Sequence, residues 1–153
     1  MTTEQQKTII TNKKAFHDYH ILNRFEAGIE LKGTEVKSLR QRKANLNDAY
    51  GRIENGEVYL YNFHISLYEF GNINNHEPLR VKKLLMHKQE IRRLFGQTAE
   101  RGFTLVPLRV YFKRGKAKVE LALAKGKLLY DKRQHLKKRD AEMEIHKAMR
   151  KRA

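Results

Sequence analysis

The chain has no cysteine and no tryptophan among its 153 residues. Without thiols it has neither a disulfide framework nor a thiolate metal site, an absence that suits a reducing cytoplasm. Without tryptophan, Tyr and Phe are the large rings left for stacking. No apolar run approaches the roughly 18 residues that a membrane helix needs. The opening Met1-Thr2-Thr3-Glu4-Gln5-Gln6-Lys7 lacks the apolar stretch of a signal peptide. There is no glycine-rich phosphate loop, because Gly28, Gly33, Gly115 and Gly126 stand alone. Ser38 and Ser66 lie in no nucleophile-elbow pattern. His17, Asp18, His20 and Glu26 match no known metal-ligand spacing. The expectation is a protein without catalysis, cofactor or metal.

Acidic residues are scarce as well. Against 17 Asp/Glu stand 33 Lys/Arg, a net charge of +16. Such a surplus calls for a polyanionic partner, since phosphates neutralised by Lys and Arg release condensed counterions. Charge alone does not choose between nucleic acid and an anionic membrane surface. With 40% hydrophobic residues the chain can bury a core, and its length suits one domain.

Along the chain, the first dozen residues are polar and read as loose. Apolar and charged positions mix from Tyr19 to Leu31, predicting a half-buried strand bent at Gly28. Val36 and Leu39 at helical spacing predict a short helix over Gly33 to Lys43, with Thr34 as its cap and Lys37, Arg40, Arg42 and Lys43 on its outer face. Taken alone, that basic face is an ordinary solvated one. The clearest local signal is Asn55-Gly56 between strand-like flanks, a two-residue hairpin turn. In its second arm Tyr59, Tyr61 and Phe63 fall on one face. They suit a core or a seam beneath a helix better than a base-stacking surface.

Asn72 to Lys83 reads as an irregular segment containing Pro78. A helix is predicted from His87 to Arg101 with the stripe Ile91, Leu94 and Phe95, and Gly96 as a possible interruption. Phe103 to Phe112 reads as a long strand in which Pro107 marks an edge or a bulge. After a turn at Lys113-Arg114-Gly115-Lys116, Val119, Leu121 and Leu123 alternate in the returning strand. Several long antiparallel strands and two short helices predict a mainly β fold, a small closed barrel with flanking helices, over residues 1–125.

From Gly126 the composition changes. Residues 126–153 hold ten Lys/Arg and four Asp/Glu, with Leu129, Leu136 and Met143 as a thin apolar stripe. One narrow stripe is too little to hold a terminal helix on a barrel against conformational entropy. A tail that is disordered when free and helical on its partner is expected, with a docked basic helix as the alternative.

Two motifs are specific. Phe25-Glu26-Ala27-Gly28 is followed by Gly33-Thr34-Glu35-Val36-Lys37-Ser38-Leu39-Arg40 and Lys43-Ala44-Asn45. Later, Ala124-Lys125-Gly126-Lys127 precedes Tyr130-Asp131-Lys132-Arg133. Over about residues 10–153 the chain resembles the small protein B family of transfer-messenger RNA-binding (SsrA-binding) proteins. The resemblance implies an oligonucleotide-binding-like antiparallel β-barrel plus a basic C-terminal tail. It implies a cytoplasmic monomer that binds the tRNA-like domain of transfer-messenger RNA. With elongation factor Tu it would deliver that RNA to stalled ribosomes for trans-translation, its tail entering the decoding centre and the empty mRNA channel. No membrane is involved.

The resemblance also implies site residues. RNA contact would fall to Asn12, Glu26, Lys125, Gly126 and Lys127, with Tyr19, Lys37 and Arg40 as weaker candidates. The ribosome would meet Tyr130, Asp131, Lys132, Arg133, Lys137, Lys138 and Arg139. Glu26 is the odd member, because phosphate repels a carboxylate. Alone it would be a plain surface acid; within this motif it suits a base edge or a ribose 2′-OH, or holds a neighbouring Arg in place.

Overall fold

The computed structural model describes residues 6–71, 73, 75–99, 102–127 and 138–145. Its elements run β1 (Gln6–Thr11), α1 (Lys13–Asp18), β2 (Tyr19–Ile29), α2 (Gly33–Arg40), β3 (Ala44–Asn45), β4 (Tyr50–Glu54) and β5 (Glu57–Tyr61). There follow β6 (His64–Ile65), β7 (Lys82–Leu85), α3 (Lys88–Thr98), β8 (Phe103–Lys113) and β9 (Lys116–Gly126). Residues 138–145 are helical. Every strand pairing is antiparallel, and the order β8-β4-β5-β7-β2-β9 returns to β8. The ring is closed, which removes the exposed edges that so small a sheet would otherwise present.

Local chemistry sets the turns. Asn55 and Gly56 take φ of +51° and +75°, the left-handed pair that a type I′ hairpin requires. Arg114 and Gly115 repeat the arrangement between β8 and β9. Pro107 marks a bulge, not an edge: the β8–β9 register shifts between Pro107 and Arg109, while β8 is paired on both sides. The bulge also changes parity. Leu105 points into the barrel before it, and Val110 and Phe112 after it, whereas Val106 and Leu108 face outward into a second apolar cluster beneath α1.

The N-terminal residues are not loose from Gln6 onward. β1 pairs with β8 and buries Ile9; its order comes from that ladder, which a short polar segment does not advertise. β1 and β4 lie along the same edge of β8. β1 covers Arg109 to Lys113, and β4 reaches it at Leu105. Between them the edge is served by Asn12. Its N–H donates to Leu108 O at 2.7 Å, and its Nδ2 donates to Pro107 O at 2.8 Å and to Leu46 O at 3.2 Å. Its Oδ1 accepts from Ala15 N–H, capping α1.

Other expectations shift for physical reasons. Val58 and Leu60, not Tyr59 and Tyr61, face the core. Asn62 takes φ of +59°, which ends the alternation and returns Phe63 to the interior. Tyr61 instead stacks on Tyr50 at 5.5 Å and donates to Glu54 Oε1. In α3, Ile91 and Leu94 are buried but Phe95 is exposed, and the helix passes through Gly96 to end at Thr98. Lys82 and Lys83 belong to β7 and not to the irregular segment. β9 runs through Gly126, and Lys127 N–H donates to Asp18 O, so the body extends slightly past the change in composition.

Thr34 does not cap α2. The helix starts after Lys32, whose N–H donates to Glu35 Oε1 at 2.7 Å, and it closes before Arg42, at φ +60°. Glu35 is fully buried. Arg80 reaches it at 2.6 Å and Lys82 at 3.8 Å. Lys82 is buried too and donates to Phe63 O at 2.6 Å; burial lowers its ammonium to about 8.

Replacing Asn12 with Ala removes a helix cap and leaves two buried carbonyls without their donor. The unfolding free energy in urea should fall by about 2–4 kcal/mol. Asn12→Asp keeps the cap but turns an acceptor towards those carbonyls, so it should not restore stability. A loss below about 0.5 kcal/mol, ordinary for a surface change, would contradict this role.

Candidate nucleic-acid interface

Glu26 lies on the outer face of β2, directly opposite Glu120 of β9, which in turn faces Arg109 of β8. Two like charges across a ladder repel, and each is offset by its own donors. Glu120 accepts from Arg24 Nη1 at 3.1 Å and Arg109 Nε at 2.8 Å. Arg109 also donates to Thr8 Oγ1, and its guanidinium lies 4.4 Å over the Tyr111 ring. Tyr111 Oη donates to Glu26 Oε2 at 2.5 Å, and Lys113 Nζ stands 3.4 Å from both carboxylate oxygens.

These contacts decide the state of Glu26. The Tyr111 hydrogen bond holds its carboxyl below the usual value of 4.5, with Lys113 assisting and burial opposing. Burial, followed by the Glu26 bond, pushes the Tyr111 phenol up. Glu26 therefore stays ionised on a basic face. Oε2 is taken by the phenol, while among the described residues Oε1 has the long Lys113 contact, on a side chain 39% exposed. That oxygen can accept from a further donor.

A cleft of about 330 Å³ opens beside this row, between β2, α2 and the β8–β9 hairpin. Gly28, Leu31, Val36, Leu85 and Phe112 form its apolar wall, and Lys116 and Lys118 its basic one. Arg40 extends from α2 over Phe112 at 4.8 Å, and Lys37 lies 5.3 Å over Tyr68. Arg40 thus reaches the cleft bordered by Lys118, whose charge acts on Glu26, whereas Lys37 lies over the β6–β7 connection. Leu85, Tyr111 and Lys118 join Glu26 and Arg40 without having been singled out by sequence. Alternation on β8 and β9 would place Tyr111 with Lys113, but nothing in the chain announces that β8 lies beside Glu26.

The other expected residues gather at the opposite end of β2. Tyr19 pairs with Gly126 and His20 with Lys125. Tyr19 packs partly on the apolar cluster under α1. Lys125 approaches the Phe103 ring at 5.9 Å, and Lys127 Nζ donates to Phe16 O. Asn12 is buried here with its side chain engaged, beneath a cleft of about 260 Å³ bordered by Lys14, Asp18, Tyr19, Asp48 and Tyr50. Tyr19 and Glu26 are seven residue steps apart along β2, at most about 23 Å, since the register shifts between Ile21 and Asn23.

His17 Nδ1 meets Asp18 Oδ1 at 2.8 Å. Among the described residues no three His, Asp or Glu side chains come together as a metal site, and no helix is long and apolar enough to cross a membrane. Tyr130, Asp131, Lys132, Arg133 and Lys137 lie outside the described residues. Lys138 and Arg139 open the helix of residues 138–145, all of them exposed.

A closed antiparallel barrel with an outward row of paired cations and carboxylates belongs to the oligonucleotide-binding-like class of RNA-binding proteins. Residues 9–151 match the SmpB protein family, and the chain belongs to that family, one of RNA-binding proteins and not of enzymes. It is 64% identical over 145 residues to the SsrA-binding protein of Carboxydothermus hydrogenoformans, covering 95% of this chain and 97% of that one. To the SsrA-binding protein of Geobacter sulfurreducens it is 61% identical over 145 residues, covering 95% of each. A solved structure called "tmRNA-SmpB: a journey to the center of the bacterial ribosome" contains a chain 52% identical in sequence. It superposes with a TM-score of 0.68 over 80% of this chain and 86% of that one.

Tyr111→Phe should raise the Glu26 carboxyl toward 4.5 from below, read by NMR titration of the side-chain carboxyl. With a folded value below the unfolded one, the stability Glu26 contributes is present above 4.5 and is lost as pH falls through the folded value. An unmoved titration in the variant would show that the phenol does not hold the carboxylate.

Proposed function

We propose that the chain binds the tRNA-like domain of transfer-messenger RNA through its barrel and carries it to stalled ribosomes for trans-translation. The observation that carries this reading is Glu26. It is an ionised carboxylate held by Tyr111 and Lys113, partly exposed amid Arg and Lys. A carboxylate so placed gains nothing from phosphate. It gains from a base edge or a ribose 2′-OH, which selects a particular RNA where the surrounding cations only attract one. The SsrA-binding names of the similar proteins and the tmRNA-SmpB structure support the same partner.

In this reading Glu26, Lys37, Arg40 and the Lys116–Lys118 wall contact RNA at one end of the barrel. Tyr19, Lys125, Gly126 and Lys127 contact it at the other. Asn12 acts through the surface it holds together. The protein works as a cytoplasmic monomer, with elongation factor Tu joining through the RNA. The tail, including Tyr130 to Arg133 and Lys137 to Arg139, reaches the decoding centre and the empty mRNA channel. It is disordered when free and helical there. The exposure of every residue in the 138–145 helix supports a tail that is not docked on the body.

Glu26→Ala makes the protein more positive, yet it should bind transfer-messenger RNA about tenfold to a hundredfold more weakly, the range for a lost charge-assisted hydrogen bond. Filter binding at fixed salt measures this, and equal or tighter binding would reduce Glu26 to a surface acid. Truncation after Lys127 should leave RNA affinity within about threefold, because the tail's cations lie outside the barrel contacts. The same truncation should abolish peptide tagging on stalled ribosomes in a reconstituted assay. Parallel loss of both would refute the division of labour.

A further inference from the structure

Leu67, Phe70, Ile73 and Leu79 all stand exposed in the connection between β6 and β7, with Phe70 68% exposed. Apolar side chains in a loose loop would be unremarked. Here the described backbone around Tyr68 is tightly held. Asn75 Oδ1 accepts from the N–H groups of Tyr68 and His76, and Asn75 Nδ2 donates to Tyr68 O at 2.6 Å. Gly71 N–H donates to Tyr68 O, and a Cβ on Gly71 would lie 2.6 Å from Asn75 Nδ2. The turn therefore closes around that amide. His76 is buried, with Nε2 2.9 Å from Ile65 O and Nδ1 2.9 Å from Thr34 Oγ1, which ties the loop to α2. Polar groups fix the backbone while rings face water. That is the construction of a preorganised contact surface.

The surroundings name the partner. Tyr68 and Phe70 meet edge-on at 5.6 Å, and Lys37 covers Tyr68 at 5.3 Å. Ser66 N–H donates to Lys43 O, bringing the basic end of α2 alongside. Lys32, Lys37, Arg40, Arg42 and Lys43 are exposed in and just after α2, against Glu69 and Glu77 in the loop. Exposed rings bordered by cations suit an unpaired nucleotide, whose base stacks while its flanking phosphates meet the ammonium groups. A protein partner would gain from that basic border only by bringing carboxylates to it, whereas every nucleotide carries its own anion beside its base. α2 also joins this surface to the Glu26 region, because Val36 lines the cleft beside Gly28 and Arg40 covers Phe112 in the same cleft. We propose that Phe70 and Tyr68, with Lys37 over the Tyr68 ring, form a stacking site for an unpaired base of the same RNA that the barrel binds. The site rests on the RNA-binding reading given above.

The test uses the full chain and a transfer-messenger RNA transcript. Phe70→Ala and Phe70→Leu should each bind about tenfold more weakly, the loss of one stacked base, while Phe70→Trp binds like the wild type. The Leu variant keeps the apolar character but loses the ring, so it separates stacking from plain hydrophobic contact. Because Phe70 packs into no core, thermal melting of the three variants should match the wild type. A benzophenone side chain at position 70 should crosslink to the transcript on ribosomes. Unchanged affinity in the Ala and Leu variants, or crosslinking to a ribosomal protein in place of RNA, overturns the proposal. If Glu26→Ala weakens binding while the Phe70 series is flat, only the stacking site fails. If the wild type does not bind the transcript, both readings fall.

Discussion

One edge of one strand must serve two neighbours, and the whole barrel depends on how that is done. β8 gives an entire side to β9, so β1 and β4 share what remains. Where they leave a gap, carbonyls of a buried strand would have no donor, which in a closed sheet is a substantial penalty. Asn12 fills that gap with its own N–H and its side-chain amide, and with its oxygen it starts α1. Few side chains can donate and accept at once from so short a stem. The bulge at Pro107 belongs to the same solution. It removes a backbone donor where the ladder is already irregular, and it turns β8 so that both of its faces are covered.

A second constraint sits under α2. Glu35 is a buried carboxylate, tolerable because it is fully used: the Lys32 N–H, the Arg80 guanidinium and the Lys82 ammonium surround it. Arg80 comes from the far end of the β6–β7 connection and Lys82 opens β7, so this one acid fixes both the helix and the return of the chain to the sheet. α2 can then turn a basic face to solvent, because its attachment does not depend on that face. Its two polar sides have separate duties.

Local features of the fold were readable from residues, and distant ones were not. Asn55-Gly56 announces its turn because the necessary φ angles belong to those two residues alone. The aromatic face of β5 misleads because one residue, Asn62, changes the parity of the strand, and Asn tolerates that conformation without advertising it. β1 is missed because its order comes from β8, a strand almost a hundred residues away along the chain. In the candidate interface, the motif around Glu26 pointed to the residue. The phenol that holds it, Tyr111, is 85 positions distant, and only the register of three strands brings the two together. The family resemblance likewise points to Asn12 without saying that its side chain is buried.

β2 and β9 run side by side for nine paired positions, from Tyr19 and Gly126 at one end to Gly28 and Lys118 at the other. Such a ladder does not stretch. The two groups of polar residues it carries are therefore held at a fixed spacing, at most about 23 Å given the register shift between Ile21 and Asn23. An RNA that touches both must present its features at that spacing, and one that is chemically identical but differently folded would satisfy only one end. The barrel would then discriminate by measuring shape, a form of selection well suited to structured RNA, whose deep groove hides most of its sequence.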